Sequence, residues 1–335
     1  MSRLRKQSLQ QSSHTQADDR FGQTLQDYVH TAIRKYVRKV TRCEKAVIAD
    51  RDPENLHQMR VGMRRLRTAL KTYGSVLRLP KAAREPQVGK VARRLSNLRD
   101  IDVLLEALEK QYWPAIPFSE QLQLAKVMES LNSDRQAAFK RAKSTLEGET
   151  YQGLKKSIRA WLRSPSYRPL GQLPLSAIAP EFIQPLLSRL WLNSGWLVGT
   201  EFQGDRFVPN TNLSPEAAEA FLSEKGTPLH DLRKQVKRVR YQLDFCEDWL
   251  GKPLQPELKR MSHLQDALGV MQDSVVLEQF LDRAMDKQFK ALMPTMASIL
   301  VQARHRAWLD WQPLQEHYLQ VRSRHEIYRM LLEGE

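Results

Sequence analysis

His57-Gln58-Met59-Arg60-Val61-Gly62-Met63-Arg64-Arg65-Leu66-Arg67-Thr68-Ala69-Leu70-Lys71 is the stretch that decides the fold. At about 100° per residue, a helix places His57, Arg60, Arg64, Arg67 and Lys71 within one arc of roughly 80°. Leu56, Met59, Met63, Leu66, Leu70, Tyr73 and Leu77 form the neighbouring apolar stripe. The basic row therefore runs along the edge of a packed face, where a groove wall would be. Like charges held in one row repel each other, so the pattern calls for an anion along it.

The stretch occurs twice. His230-Asp231-Leu232-Arg233 begins a second copy that continues through Lys237, Arg238 and Arg240, 173 residues further on. Downstream, the segment around Asp100 matches the segment around Asp273 at the same spacing. Two basic helices, each followed at one distance by a matching second helix, indicate an internal duplication. The second helix of the first copy carries Lys90, Arg93, Arg94 and Arg99; that of the second carries Lys259, Arg260 and His263. Asp100 and Asp273 sit among arginines and read as internal partners that orient them rather than as catalysts.

At these residues the chain resembles the CHAD (conserved histidine α-helical domain) family. That family has a His-x-x-Arg-x-x-x-basic-basic-x-Arg helix and an Asp-containing second helix in each of two helical repeats. Both signatures are present, and the likeness spans roughly residues 25 to 332. It implies an all-α domain of two antiparallel four-helix-bundle repeats with pseudo-two-fold symmetry and a basic groove or pore. It also implies binding of inorganic polyphosphate. Carried over residue by residue, the binding set is His57, Arg60, Arg64, Arg67, Lys71, Lys90, Arg93 and Arg94 in repeat one. In repeat two it is His230, Arg233, Lys237, Arg240, Arg260 and His263. Arg65 and Arg238 project about 80° from the histidine of their row on the other side, and with Arg99 and Lys259 they form a secondary set. The second copy is less basic: Asp244, Asp266, Ala267 and Gln272 stand where the first has Lys71, Arg93, Arg94 and Arg99.

The composition agrees with a polyanion partner without choosing one. Lys and Arg number 53 against 38 acids, a net charge of +15, and the pI is near 9.8. Gly is scarce at 14, and long stretches rich in Ala, Leu, Gln, Lys, Arg and Glu favour helices. The two cysteines, Cys43 and Cys246, form no CxxC or Cys/His cluster and read as inert core thiols. No apolar run approaches the ~18 residues of a membrane span, and the start has no signal-peptide pattern. The expectation is a cytoplasmic protein without membrane contact, open to association with polyphosphate granules.

Taken in order, residues 1–20 read as a disordered polar tail, 21–163 as repeat one, 164–226 as a linker plus leading helices, and 227–335 as the rest of repeat two. Helices are expected at Phe21–Ala49, from Pro53 to before Pro80, from Ala83 or Val88 to Lys110, at Ser119–Leu146 and at Thr150–Arg163. The basic residues of the first helix read as a solvated face, some bordering the anion path. Beyond Pro174 the expectation is a helix at Phe182–Val198 with Trp191 and Trp196 in the core, a loop at Gly199–Asn212, and a short helix at Pro215–Ser223. A basic helix would start at Thr227-Pro228, with further helices at Pro256–Arg283, Met285–Trp308 and Pro313–Leu332. Arg322, Arg324 and His325 read as solvent-exposed.

A linear polyphosphate carries negative charge at every unit and has no bases to read. Arginine forks and lysine point charges suit it, and a histidine donates once an anion raises its pKa. A nucleic-acid binder fits the charge equally well, but the rows lack interleaved aromatics for base stacking. Weak backbone contact with nucleic acid stays open, as does recruitment of a protein partner. A metal-dependent phosphohydrolase would need more His and Asp around His230-Asp231, and repeat one has His57-Gln58 at that place. There is no Glu-x-Glu-x-Lys strand of the triphosphatase domain some CHAD proteins carry, and the residues ahead of the first helix are too few to hold one. No catalytic residue, metal ligand or cofactor is expected.

Overall fold

Apolar residues spaced three and four apart from Leu25 to Val47 give helix α1, Leu25–Ile48, which buries Leu25, Val29, Ile33, Tyr36, Val37, Val40 and Val47. The computed structural model of the protein describes residues 23–210, 213–250 and 252–333. The tail read at 1–20 lies outside them. Helix α2, Pro53–Thr72, starts as its sequence dictates: the Asp52 carboxylate accepts from the Glu54 amide at 2.8 Å and Pro53 occupies the first helical turn. At Gly62 a Cβ would come within 2.9 Å of Val40 Cγ2. The glycine lets α1 and α2 approach closely enough for their apolar stripes to interlock.

The chain continues through α3 (Glu85–Ala107), a π-helical turn at Leu108–Tyr112, α4 (Phe118–Glu147), α5 (Glu149–Arg163) and α6 (Leu175–Trp191). It divides into two compact units. One runs to Arg99 and includes Ala138–Ile183; the other holds Asp100–Ala137 and everything from Gln184. The divisions fall inside α3, α4 and α6. In the first unit Glu44 ties α1 to α5, taking Lys155 at 2.7 Å and the Tyr151 hydroxyl at 3.1 Å.

The second unit holds α7 (Pro215–Leu250), α8 (Gln255–Ala284), α9 (Phe289–Leu292), α10 (Pro294–Leu319) and α11 (Val321–Glu333). Its core includes Leu108, Leu124, Leu131, Leu281, Phe289, Met296 and Leu300. Met293 gives α10 no side-chain cap. The buried Glu120 carboxylate supplies one, accepting from the amides of Thr295 at 2.8 Å and Met296 at 3.0 Å. No helix among the described residues is long and apolar enough to cross a membrane.

The structure corrects several sequence-based expectations. The protein is helical as expected, but the stretch read as a loop at Gly199–Asn212 contains a short antiparallel hairpin, β1 (Thr200–Gln203) and β2 (Arg206–Pro209). Gly204, at φ +65°, opens its two-residue turn. Helix α6 begins at Leu175 rather than Phe182 and ends at Trp191, so Trp196 sits in a separate 3-10 turn; both tryptophans are buried. The Thr227-Pro228 pair does not start a helix, because α7 runs through it. The turn at Ser194–Leu197 packs there so closely that a Cβ on Gly195 would meet Pro228 O and Leu232 Cβ at 2.7 Å, and this packing overrides the proline. Helix α10 likewise runs through Pro313. Arg324 is half-buried, donating to Tyr318 O at 2.6 Å and lying over the Trp191 ring.

Candidate anion-binding site

In the first unit the motif row divides into two lines. Arg60 and Arg67 turn onto α3. Arg60 donates to Ser96 Oγ at 2.6 Å and to Ala92 O at 3.2 Å. Arg67 pairs with Glu85 at 2.8–2.9 Å and lies flat over Gly89, where a Cβ would approach its Nε to 3.2 Å. His57, Arg64 and Lys71, seven residues apart, form the outward line; Arg64 and Lys71 are exposed and His57 is half-buried. On α3, Lys90, Arg93 and Arg94 are exposed. Lys71, Lys90, Arg93 and Arg94 make no ion pair with a described residue. Arg65 is half-buried and Asp100 is exposed.

His57 is where three helices bring positive charge together. Its pKa is lowered first by burial, then by Arg99 of α3, Arg64 of α2 and Lys39 of α1, with Glu54 opposing them. The imidazole is thus held neutral in a field that favours an anion. Lys39 was not in the sequence-derived set. Its i, i+4 spacing from Lys35, parallel to Arg34, Arg38 and Arg42, was the available signal.

The second unit repeats the chemistry. Arg233, matched to Arg60, forks onto Asp273 at 2.8 and 3.0 Å. Arg240, matched to Arg67, donates to Gln265 Oε1 at 3.1 Å and lies over the Tyr241 ring. Arg260 is tied to buried Glu257 at 2.7 Å. Arg238 reaches Gln235 at 3.5 Å, while Lys259 and His263 are exposed and Lys237 is half-buried. His230 is lowered by burial and then by Lys234 and Arg233, and its buried Nδ1 has no hydrogen-bond partner. Asp231 pairs with Lys234 at 3.1 Å. Among the described residues, no group of three or more His, Cys, Asp or Glu is placed to hold a metal ion.

The family model described as CHAD domain matches residues 31–282. The crystal structure of the CHAD domain from the plant Ricinus communis aligns with a TM-score of 0.60 at 24% identity, covering 93% of each chain. PptA from Streptomyces chartreusis aligns with a TM-score of 0.56 at 15% identity, over 87% of this chain and 99% of that one. At these identities the two structures establish the fold. No curated protein sequence matches the chain.

Proposed function

The chain belongs to the CHAD domain family, and from this premise we propose that it binds inorganic polyphosphate without catalysing a reaction on it. The observation that carries the proposal is the convergence on His57 of Arg99, Arg64 and Lys39 from three helices. Exposed Lys71, Lys90, Arg93 and Arg94, in no ion pair among the described residues, lie on two of those helices. These protonated lysines and arginines donate to phosphate oxygens along a chain and are themselves neither bases nor nucleophiles. The same proposal takes each repeat as an antiparallel four-helix bundle contributing one basic row. Repeat one dominates, because Asp244, Asp266, Ala267 and Gln272 stand in repeat two where repeat one has Lys71, Arg93, Arg94 and Arg99. The proposal extends to a cytoplasmic, granule-associated setting.

The test is titration with long-chain polyphosphate and with DNA and RNA of equal charge at physiological salt. Polyphosphate should bind much more tightly than either nucleic acid, and more tightly than pyrophosphate, since successive phosphates engage successive side chains. Equal affinity for duplex DNA would favour a nucleic-acid binder. Release of phosphate with Mg²⁺ or Mn²⁺, abolished by changing His230 or Asp231, would overturn the non-catalytic reading.

A further inference from the structure

The outward face of α1 carries cations that the family motif does not include. Arg34, Arg38 and Arg42 recur every four residues, and Lys35 and Lys39 form a parallel line. With Gln58 of α2 they border an open hollow of about 610 Å³. The opposite face of the same helix is the core face, with Ile33, Tyr36, Val37 and Val40 buried. None of the five cations is in an ion pair with a described residue; Arg34 alone makes a contact, with His30 Nε2 at 3.3 Å. The acids of this helix are engaged elsewhere: Asp27 with Thr24, Glu44 with Lys155 and Tyr151. Five unpaired like charges within nine residues of one face weaken a helix, and a bound anion would relieve that repulsion.

The lining also says which anion fits. Among the described residues no aromatic or aliphatic side chain borders the hollow, whose remaining walls are Thr31 and Cys43. Bases would find no aromatic ring to stack on, and the apolar anchors of a peptide would find no pocket. Arginines four residues apart step about 6 Å along the helix axis, so an extended chain of charged units can meet each in turn. Lys39 also acts on His57, which places the hollow beside the motif site. We infer that the hollow bordered by Arg34, Arg38, Arg42, Lys35, Lys39 and Gln58 is a second seat for an inorganic phosphate chain, continuous with the motif site through Lys39. This rests on the polyphosphate reading and extends it to residues outside the motif.

Cys43 at the edge of the hollow provides a reporter. In the full chain carrying Cys246→Ser, Cys43 is the one remaining thiol. Long-chain polyphosphate at ten times its Kd should slow alkylation of Cys43 by an uncharged maleimide about tenfold. The double variant Arg38→Glu/Arg42→Glu should lose that protection and bind polyphosphate at least about tenfold more weakly. Its slope of log affinity against log salt should fall by about 1.4, at ~0.7 per lost phosphate contact. Lys140→Glu/Lys143→Glu, exposed on α4, makes the same change in net charge and should bind like the parent. Circular dichroism and melting check that both variants are folded. If the control loses as much affinity as the α1 variant, a diffuse field replaces the seat. Tight binding without protection of Cys43 overturns the seat and leaves the polyphosphate reading standing; absence of polyphosphate binding removes both.

Discussion

The Arg233 guanidinium grips the Asp273 carboxylate with two prongs, at 2.8 and 3.0 Å, while lying against Gly269. Arg60, its match in the first repeat, rests on Ser96 at the position equivalent to Gly269 and meets a neutral hydroxyl there.

Asp273→Asn should therefore strengthen polyphosphate binding. Asp273 is 68% exposed and the Arg233 side chain 15%. Losing the pair should cost about 1 kcal/mol of stability at most, readable in urea melts, while removing one negative charge and releasing an arginine fork. Titration should show tighter binding and a steeper salt dependence. A folded variant that binds no more tightly than the parent would show that Arg233 does not reach the ligand.

Lys71→Ala and Arg60→Ala should separate two effects that the sequence merges. Both should weaken polyphosphate binding, by about tenfold or more for a charge-assisted contact. Of the two, Arg60→Ala also removes bonds that join α2 to α3, to Ala92 O and Ser96 Oγ. It should lower stability by about 1–2 kcal/mol, whereas the variant at exposed Lys71 should melt close to the parent. Equal melting temperatures with equal affinity losses would contradict this division of the row.

Arg260→Ala should act mainly on stability. Glu257 is 2% exposed, and burial holds its carboxyl above the ordinary range although Tyr318 and Arg260 both stabilise the charge. Removing Arg260 leaves the buried Glu257 carboxylate with the Tyr318 hydroxyl as its donor among the described residues. The cost should be about 1–3 kcal/mol, below the range for a fully buried pair because the Arg260 side chain is 37% exposed. Denaturant melts check it, and a large loss of affinity in a variant of parental stability would make Arg260 a ligand contact instead.

Much of the fold was legible because local signals agreed with packing. Asp52-Pro53 capped a helix whose apolar stripe met its neighbour at Gly62. Legibility failed where distant residues decided the outcome. The packing of Gly195 carried α7 through Pro228, and Glu120 capped α10 from 175 residues away. The hairpin was readable from Gly204-Asp205 between Thr200–Gln203 and Arg206–Pro209, a two-residue turn between short strands. In the site, helical angles placed the motif side chains on one arc but could not say which edge faces a neighbouring helix. That edge is why Arg60 and Arg67 turn inward while Arg64 and Lys71 stay exposed. Cys43 is half-buried beside a basic hollow rather than in the core, and the Cys246 side chain lies outside what the structure describes.

Binding should take up protons, and stability should move with pH in the opposite sense. His57 and His230 are held below the ordinary histidine pKa of about 6.5 by burial first and neighbouring cations second. In the free protein near pH 7 both are neutral. A phosphate chain alongside favours imidazolium and raises each pKa, so affinity should rise as pH falls through the bound-state pKa and level off below the free-state pKa. Each unit of difference between the two is a tenfold change in affinity per histidine. Without ligand the sign reverses. Because the folded pKa lies below the unfolded one, the neutral form stabilises the fold. That contribution is complete above about pH 6.5 and is lost as pH falls toward the folded-state pKa. His30 and His317, also lowered chiefly by burial, add to the loss of stability but not to the binding effect. Calorimetric titration near pH 6.5 in two buffers of different ionisation enthalpy measures the proton uptake directly. The parent should take up protons on binding long-chain polyphosphate, and His57→Gln/His230→Gln should lose most of that uptake while keeping part of the affinity. Equal uptake by parent and variant would place the titrating groups on the ligand and remove the histidines from the site.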